Sequence, residues 1–422
     1  MHSIALGYGN DSLAFEYDHA RWHVLAPDAG NERPLSDAEI GEALDSPAGS
    51  RPLEEIVQPG DTVLIVVSDA TRATASAQIV NLLVRRIIQS GVNASDVAII
   101  FATGIHRAPT EEEKRELLTP FIAQRIRTID HDAGDASNLI SLGKTSNGTP
   151  VEVNRALKDF SRVILTGAVG FHYFAGFTGG RKSVCPGLAA ARTIEATHML
   201  ALDFERGGRR AGVAAGQLDG NAVHEECERV AALIDPSFIV NAIVDERGRA
   251  VQVFAGHWQT AHRDACKAYG VAHAVQIREK RGMVVVSCGG SPYDINMIQA
   301  HKALDMGAQA CVKGGDIILL AECADGFGRS DFLKWFESAD SVALEARLKE
   351  SYEVNGQTAW SLLTKSESFR IQLISKLADN DVRKMRMIPA RNLAEALANT
   401  DQKETGYILP RGSSTLPVTG GI

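Results

Sequence analysis

No Cys-x-x-Cys pair occurs anywhere in the 422 residues; Cys185, Cys227, Cys266, Cys288, Cys311 and Cys323 are scattered. That excludes a zinc ribbon and offers no disulfide framework, so the thiols are expected to be buried, in a reducing compartment. A basic surplus is missing too: 44 Lys and Arg face 52 Asp and Glu, a formal charge of −8. This balance argues against a nucleic-acid partner, and an anionic substrate must be met by positive charges gathered locally. The opening Met1-His2-Ser3-Ile4 has no basic region followed by an apolar core, so no secretory signal is expected. Internal repeats and low-complexity tracts are absent. From Val163 to Gly180 the only residue that can carry charge near neutral pH is His172, over nearly the length of a membrane span. Gly167, Gly170, Gly176, Gly179 and Gly180 are too many for a helix in lipid, so the stretch reads as a buried strand entering a glycine-rich loop. Near the other end, Leu416-Pro417-Val418-Thr419-Gly420 mimics a cell-wall sorting signal without the apolar segment and basic tail that should follow. A soluble, cytoplasmic protein with no membrane partner is expected.

What is present is ordinary folded composition, 45% hydrophobic and 23% charged, at a length worth about two or three domains of ~150 residues. Short β-branched runs alternate with helical stretches. Thr62–Val67, Val97–Phe101 and Arg162–Thr166 read as strands buried on both faces, with helices at Gln78–Gln89, Ala189–Leu200 and Ala222–Leu233. Thr110 before Glu111, Glu112 and Glu113 is a helix start. Asn147-Gly148 and Asp245-Glu246-Arg247-Gly248 mark hairpins. A helix is expected over His257–Arg278, then a strand Met283–Ser287, a helix Asn296–Ala310 and a strand Asp316–Leu320. The remainder reads as helical up to a short strand at Val382–Ile388. The expected architecture is α/β: two α/β domains with largely parallel sheets, residues 1–278 and 279–422, with the active site in the cleft between them.

Ligands of open α/β sheets gather beyond the carboxyl ends of the strands. There the sequence places Ser68-Asp69-Ala70-Thr71-Arg72, then Gly104-Ile105-His106-Arg107, then Gly170-Phe171-His172-Tyr173-Phe174 and Gly179-Gly180-Arg181-Lys182. In the second half, Pro292-Tyr293-Asp294 follows a strand, with Gln299 and Lys302 one helical turn apart. A single histidine in such a loop is ordinary. Two, with an Asp and an Arg after a third strand, suit acid/base chemistry. Gly176 to Ser183 fails the phosphate-loop pattern because Arg181 stands where the second glycine belongs. Lys182, in a nearly uncharged stretch, suits a nucleophile or a covalent anchor. His198 has no second histidine at i+4, so it begins no zinc helix of the His-Glu-x-x-His type. Gln299 and Lys302 together suit a carboxylate.

Taken together these motifs, from Asp69 to Lys302, resemble the nickel-pincer-nucleotide-dependent lactate racemase family of 2-hydroxyacid racemases and epimerases. The run from His172 to Gly187 is the most specific part. The resemblance implies that Lys182 holds the cofactor, a pyridinium-3-thioamide-5-thiocarboxylic acid mononucleotide carrying nickel, through a thioamide. It implies His198 as the metal's one protein ligand and Asp69 as a contact to the nucleotide. His106 and His172 would be the acid/base pair, and Arg72, Gln299 and Lys302 would bind substrate. The reaction implied is inversion at C2 by proton-coupled hydride transfer through a 2-keto acid, with cofactor-synthesis proteins as partners. Met297, Ile298, Tyr173 and the Ala324–Arg329 loop are expected to line the side-chain pocket. Ile298 stands where the resemblance places an aromatic residue in lactate enzymes, which favours a longer hydroxy acid or a sugar acid. Two other readings stay open: a divalent-metal hydrolase or lyase with His106, His172 and His198 as ligands, and a noncatalytic ligand-binding homologue.

Overall fold

The computed structural model describes residues 2–27, 33–401 and 404–420. The chain forms two compact units, one of Gly30–Ala201 with Arg210–Gly270, the other of Met1–Ala29, Leu202–Arg209 and Val271–Ile422. The division therefore differs from a single cut at residue 278. The reason is at the start of the chain, where the Trp22–Val24 strand pairs in parallel with Gly406–Leu409.

In the first unit a six-stranded sheet runs in the order Ala250–Gly256, Phe238–Val244, Arg162–Ala168, Val63–Ser68, Val97–Ala102, Arg127–Asp130. All neighbours are parallel except the Ala250–Gly256 edge. The β-branched runs are central because they can be buried on both faces. Val63 to Val67 are fully buried, at roughly 1.5–3 kcal/mol per large side chain. Helix Ser76–Gln89 turns Ile79, Val80, Leu83, Val84 and Ile87 inward onto this sheet's core. Helix Glu111–Arg125 opens with a full capping box, Thr110 Oγ1 accepting from Glu113 N and the Glu113 carboxylate accepting from Thr110 N. Both expected hairpins form, Leu139–Lys144 with Pro150–Asn154 and Phe238–Val244 with Ala250–Gly256.

In the second unit a parallel sheet runs Ile388–Ala390, Arg370–Ile374, Cys311–Leu320, Arg281–Ser287, Gly406–Leu409, Trp22–Val24. The hairpin His2–Tyr8 with Asp11–Tyr17 packs Leu6 and Phe15 against Met283, Val285 and Ile318. Several expectations are corrected here. The helix from Trp258 stops at His273, and Ala274–Ile277 is instead a strand paired with Leu416–Thr419. The stretch expected to be helical up to Val382 is interrupted by the strand Arg370–Ile374; Asp379–Lys384 is a helix, with the next strand confined to Ile388–Ala390. All six cysteines are free and buried. Among the described residues no helix is long and apolar enough to cross a membrane.

Candidate active site

The strands bearing Asp69, His106 and His172 are neighbours in one sheet. Asp69 follows the Val63–Ser68 strand, flanked by Val97–Ala102 before His106 and Arg162–Ala168 before His172. The outer two strands are thus two spacings apart, about 10 Å. Parallel pairing sends all three loops to the same end of the sheet.

Asp69 is buried, and its Oδ2 lies 2.7 Å from His106 Nδ1. Its Oδ1 accepts from Thr71 N at 3.1 Å and Thr71 Oγ1 at 2.6 Å. Burial alone would raise this carboxyl's pKa, but the bond to His106, the nearby Arg72 charge and the Thr71 bonds outweigh it, leaving it below the usual value. A charged acceptor at Nδ1 makes that nitrogen the N–H of neutral His106 and leaves the Nε2 lone pair as the base. The ring is half exposed, so a substrate can reach it. Arg72 is exposed at the same strand end, whereas Arg107 turns away to pair with Glu113.

His172 is set oppositely. Its Nδ1 accepts from Ala175 N at 3.2 Å, so the neutral ring carries its proton on Nε2. Phe174 organises the rest. The His172 ring stands edge-on to it at 4.6 Å, the His198 ring edge-on at 5.0 Å, and Lys182 Nζ lies 5.7 Å from its centroid. One aromatic ring thereby gathers three of the predicted site residues. Lys182 is half-buried between buried Arg181 and Ser183. The loop before it turns through positive φ at Gly176 and Gly179, and a Cβ at Gly176 would stand 2.1 Å from Gln217 O. The His106 loop is joined to this segment through Gly187, which accepts from Gly104 N and donates to Lys182 O, both at 2.9 Å.

His198 sits in the last turn of helix Ala191–Met199, nearly buried. Burial first, and the Lys182 charge second, push its pKa down to about 3, so it is a neutral imidazole. Thr197 Oγ1 donates to Ile194 O at 2.9 Å, so its 3.3 Å contact with His198 Nδ1 requires that nitrogen to be the donor. The Nε2 lone pair is left for a metal, as a single-histidine site needs. Among the described residues no three His, Cys, Asp or Glu side chains group to hold a metal ion, so His106, His172 and His198 do not form the three-histidine site of the hydrolase reading.

In the second unit, Asn296 caps helix Met297–Ala310 by accepting from Gln299 N at 3.0 Å. One turn along, Lys302 Nζ donates to Gln299 Oε1 at 2.7 Å, so the predicted pair is formed. Met297 is fully buried in the unit's core. Ile298 is only partly buried, and its amide reaches Phe327 O of the 324–329 loop at 3.3 Å. Asp294 is structural: its Oδ2 accepts from Gly9 N at 2.7 Å and Glu322 N at 3.1 Å. Sequence reasoning gave no role to Phe174, Thr71 or Thr197. Each stood inside or beside a motif, Thr71 between Asp69 and Arg72, Phe174 in the glycine-rich run and Thr197 next to His198, and that adjacency was the signal that could have found them.

Comparison with known proteins bears on the chain as a whole. Residues 8–208 match the lactate racemase N-terminal domain and residues 277–408 the lactate racemase C-terminal domain. The lactate racemase of Thermoanaerobacterium thermosaccharolyticum is 30% identical, over 99% of both chains. That of Lactiplantibacillus plantarum is 29% identical over 79% of this chain and 77% of its own. The solved lactate racemase apoprotein from T. thermosaccharolyticum superposes with a TM-score of 0.91 at 28% identity, covering 99% of this chain and 100% of that one. A Thermotoga maritima protein of known structure shares the fold, with a TM-score of 0.70 at 20% identity over 92% of this chain and 99% of its own. Fold and relatives define an isomerase of the racemase class. The chain belongs to the lactate racemase family.

Proposed function

We propose that this chain inverts C2 of a small 2-hydroxy acid, passing through the planar 2-keto acid. The observation that carries the reading is the Asp69–His106 pair beside the Phe174 cluster of His172, Lys182 and His198. Removing the α-proton would put carbanion charge beside a carboxylate, so withdrawal of hydride with the hydroxyl proton is the less costly route. When bound, a nickel-pincer nucleotide joined to Lys182 would supply the hydride acceptor that no side chain provides. The donors fit such a group: a half-buried amine, and a neutral imidazole with its Nε2 lone pair uncommitted by the Thr197 contact. Asp69 Oδ1 is filled by the two Thr71 bonds, but Oδ2 retains capacity to accept from a nucleotide hydroxyl.

His106 Nε2 takes the hydroxyl proton, and the imidazolium formed is stabilised by Asp69. His172 offers its Nε2–H to a substrate oxygen. To serve the mirror-image substrate as base, its proton must move to Nδ1, which gives up the Ala175 amide contact. Arg72 suits the substrate carboxylate, and the Gln299–Lys302 pair of the second unit carries the same carboxylate-binding chemistry. Half-buried Ile298 in place of an aromatic side chain favours an acid longer than lactate or a sugar acid.

The test is coexpression with cofactor-synthesis proteins, then intact-mass analysis and a racemisation screen over 2-hydroxy and aldonic acids. A nucleotide-sized adduct at Lys182 together with inversion of one acid is expected. An unmodified chain that leaves every acid unchanged would defeat the proposal.

A further inference from the structure

Arg181, the residue before Lys182, points the other way. Its side chain is 1% exposed, and no carboxylate lies within ion-pair distance among the described residues. Instead its guanidinium spends its donors on the glycine-rich loop: Nη2 to Ala175 O at 2.7 Å, and Nη1 to Phe177 O at 3.0 Å and Gly179 O at 3.3 Å. Nη1 also lies 3.2 Å from His262 Nε2. The same Nε2 lies 3.0 Å from Thr178 O, and a carbonyl can only accept, so Nε2 carries the ring proton and donates to Thr178, while its approach to Nη1 is a packing contact. Gly180 lies flat on this ring; a Cβ there would stand 2.4 Å from His262 Cγ.

Surrounding residues invite a different reading. His224 with Glu228, and His262 with Cys266, are i, i+4 pairs on helices Ala222–Ala232 and Trp258–His273. His224 Nε2 lies 3.4 Å from Glu228 Oε1, and Cys266 Sγ 3.3 Å from His262 Nε2. The residue types suit a metal cage, but a guanidinium already lies against His262, and the described residues hold no metal-binding group.

A buried cation satisfied by carbonyls alone is expensive, and filling space would need no charge. The loop explains the expense. Between Gly176 and Gly180 the backbone passes through positive φ at Gly176, Gly179 and Gly180, and its regular pairing is short: a two-residue ladder with Phe171–His172, and single main-chain bonds from Phe177 N to Ala175 O and Lys182 N to Gly179 O. A planar fork does what regular structure cannot. We propose that Arg181 and His262 are a positioning pair: the guanidinium clamps the Ala175, Phe177 and Gly179 carbonyls, the imidazole Nε2–H holds the Thr178 carbonyl between them, and together they fix the Lys182 amine and the His172 ring that the Ala175 amide holds. The inference concerns the site of the proposed racemase, but its test needs neither cofactor nor substrate.

The experiment uses the full-length protein without cofactor and the variants Arg181→Lys, His262→Leu and His262→Gln. Hydrogen exchange of amides 172–187 is followed alongside acetylation of Lys182 by an N-hydroxysuccinimide ester, with Lys182→Ala as blank. Arg181→Lys keeps charge without the fork, and His262→Leu keeps bulk without the N–H donor. Both should speed loop exchange by about tenfold or more and change Lys182 labelling by a similar factor, with the Val63–Ser68 and Val97–Ala102 amides unmoved. His262→Gln, which keeps an N–H donor, should restore both. Should Arg181→Lys not fold, His262→Leu decides by itself. Wild-type exchange and labelling in a folded variant would overturn the pair, whereas an absent Lys182 adduct after coexpression counts only against the racemase proposal.

Discussion

The two histidines proposed as acid and base differ in what stands behind them. His106 is backed by a carboxylate and His172 by a backbone amide, so they should rest as opposite tautomers. We predict that ¹⁵N NMR of the neutral imidazoles shows His106 protonated at Nδ1 and His172 at Nε2; the same tautomer at both would contradict the hydrogen bonds described. Asp69→Asn keeps the shape but turns an acceptor into an amide that can present its N–H to His106. Racemisation by the loaded enzyme should fall ~10²–10⁴-fold while the thermal midpoint stays close to wild type. A loss below tenfold would mean that the carboxylate does little for the base. None of this pairing is legible in the sequence. Asp69 and His106 are 37 positions apart, and what joins them is the adjacency of two parallel strands. The motif residues themselves could be read, but the direction in which Arg181 points could not.

At the scale of elements, the glycine-rich loop is where backbone geometry leaves least room. Gly176→Ala would force a Cβ to 2.1 Å from the Gln217 carbonyl at a φ of +76°. Denaturant unfolding should show a loss of about 1–3 kcal/mol or more, against about 1 kcal/mol for Thr110→Ala, which only removes a helix cap. The central strands were legible because a fully buried parallel strand is a near-continuous β-branched run, as in Val63–Val67. Strands that escaped reading lack that signature. Arg370–Ile374 carries an inward, buried Gln372; Ala274–Ile277 continues a helical pattern; Leu416–Thr419 contains Pro417. Val382 was mistaken for the start of a strand because one buried valine fits either element, and helix Asp379–Lys384 is too short to show a period.

Across the whole molecule, several histidines are held neutral. Burial, and then the charge of Arg181, bring His224 down to about 2 and His262 to about 3; burial and then Lys302 bring His301 to about 3. Unfolded, each would titrate near 6.5. Between about pH 6.5 and 3 the unfolded chain therefore binds more protons, so stability is complete above that window and falls as the pH drops through it. The slope is up to about 1.4 kcal/mol per pH unit for each histidine. The urea midpoint should decline steeply from pH 7 to 5, and a flat midpoint would refute the neutral assignment. The second unit has its own buried charge centre, Asp305 with Arg209 at 2.9 Å and Lys365 at 2.6 Å. Lys365→Met should cost about 3–5 kcal/mol in urea unfolding, because it strips a cation from a buried carboxylate.

The parallel pairing of Trp22–Val24 with Gly406–Leu409 also bears on how this protein is made. The ribosome delivers one strand well before its neighbour, so Trp22–Val24 must wait, edge unpaired, until Gly406–Leu409 has been made. The unit built around Val63–Ser68 has its central strands in hand long before, and it is the part able to condense while the chain is still growing.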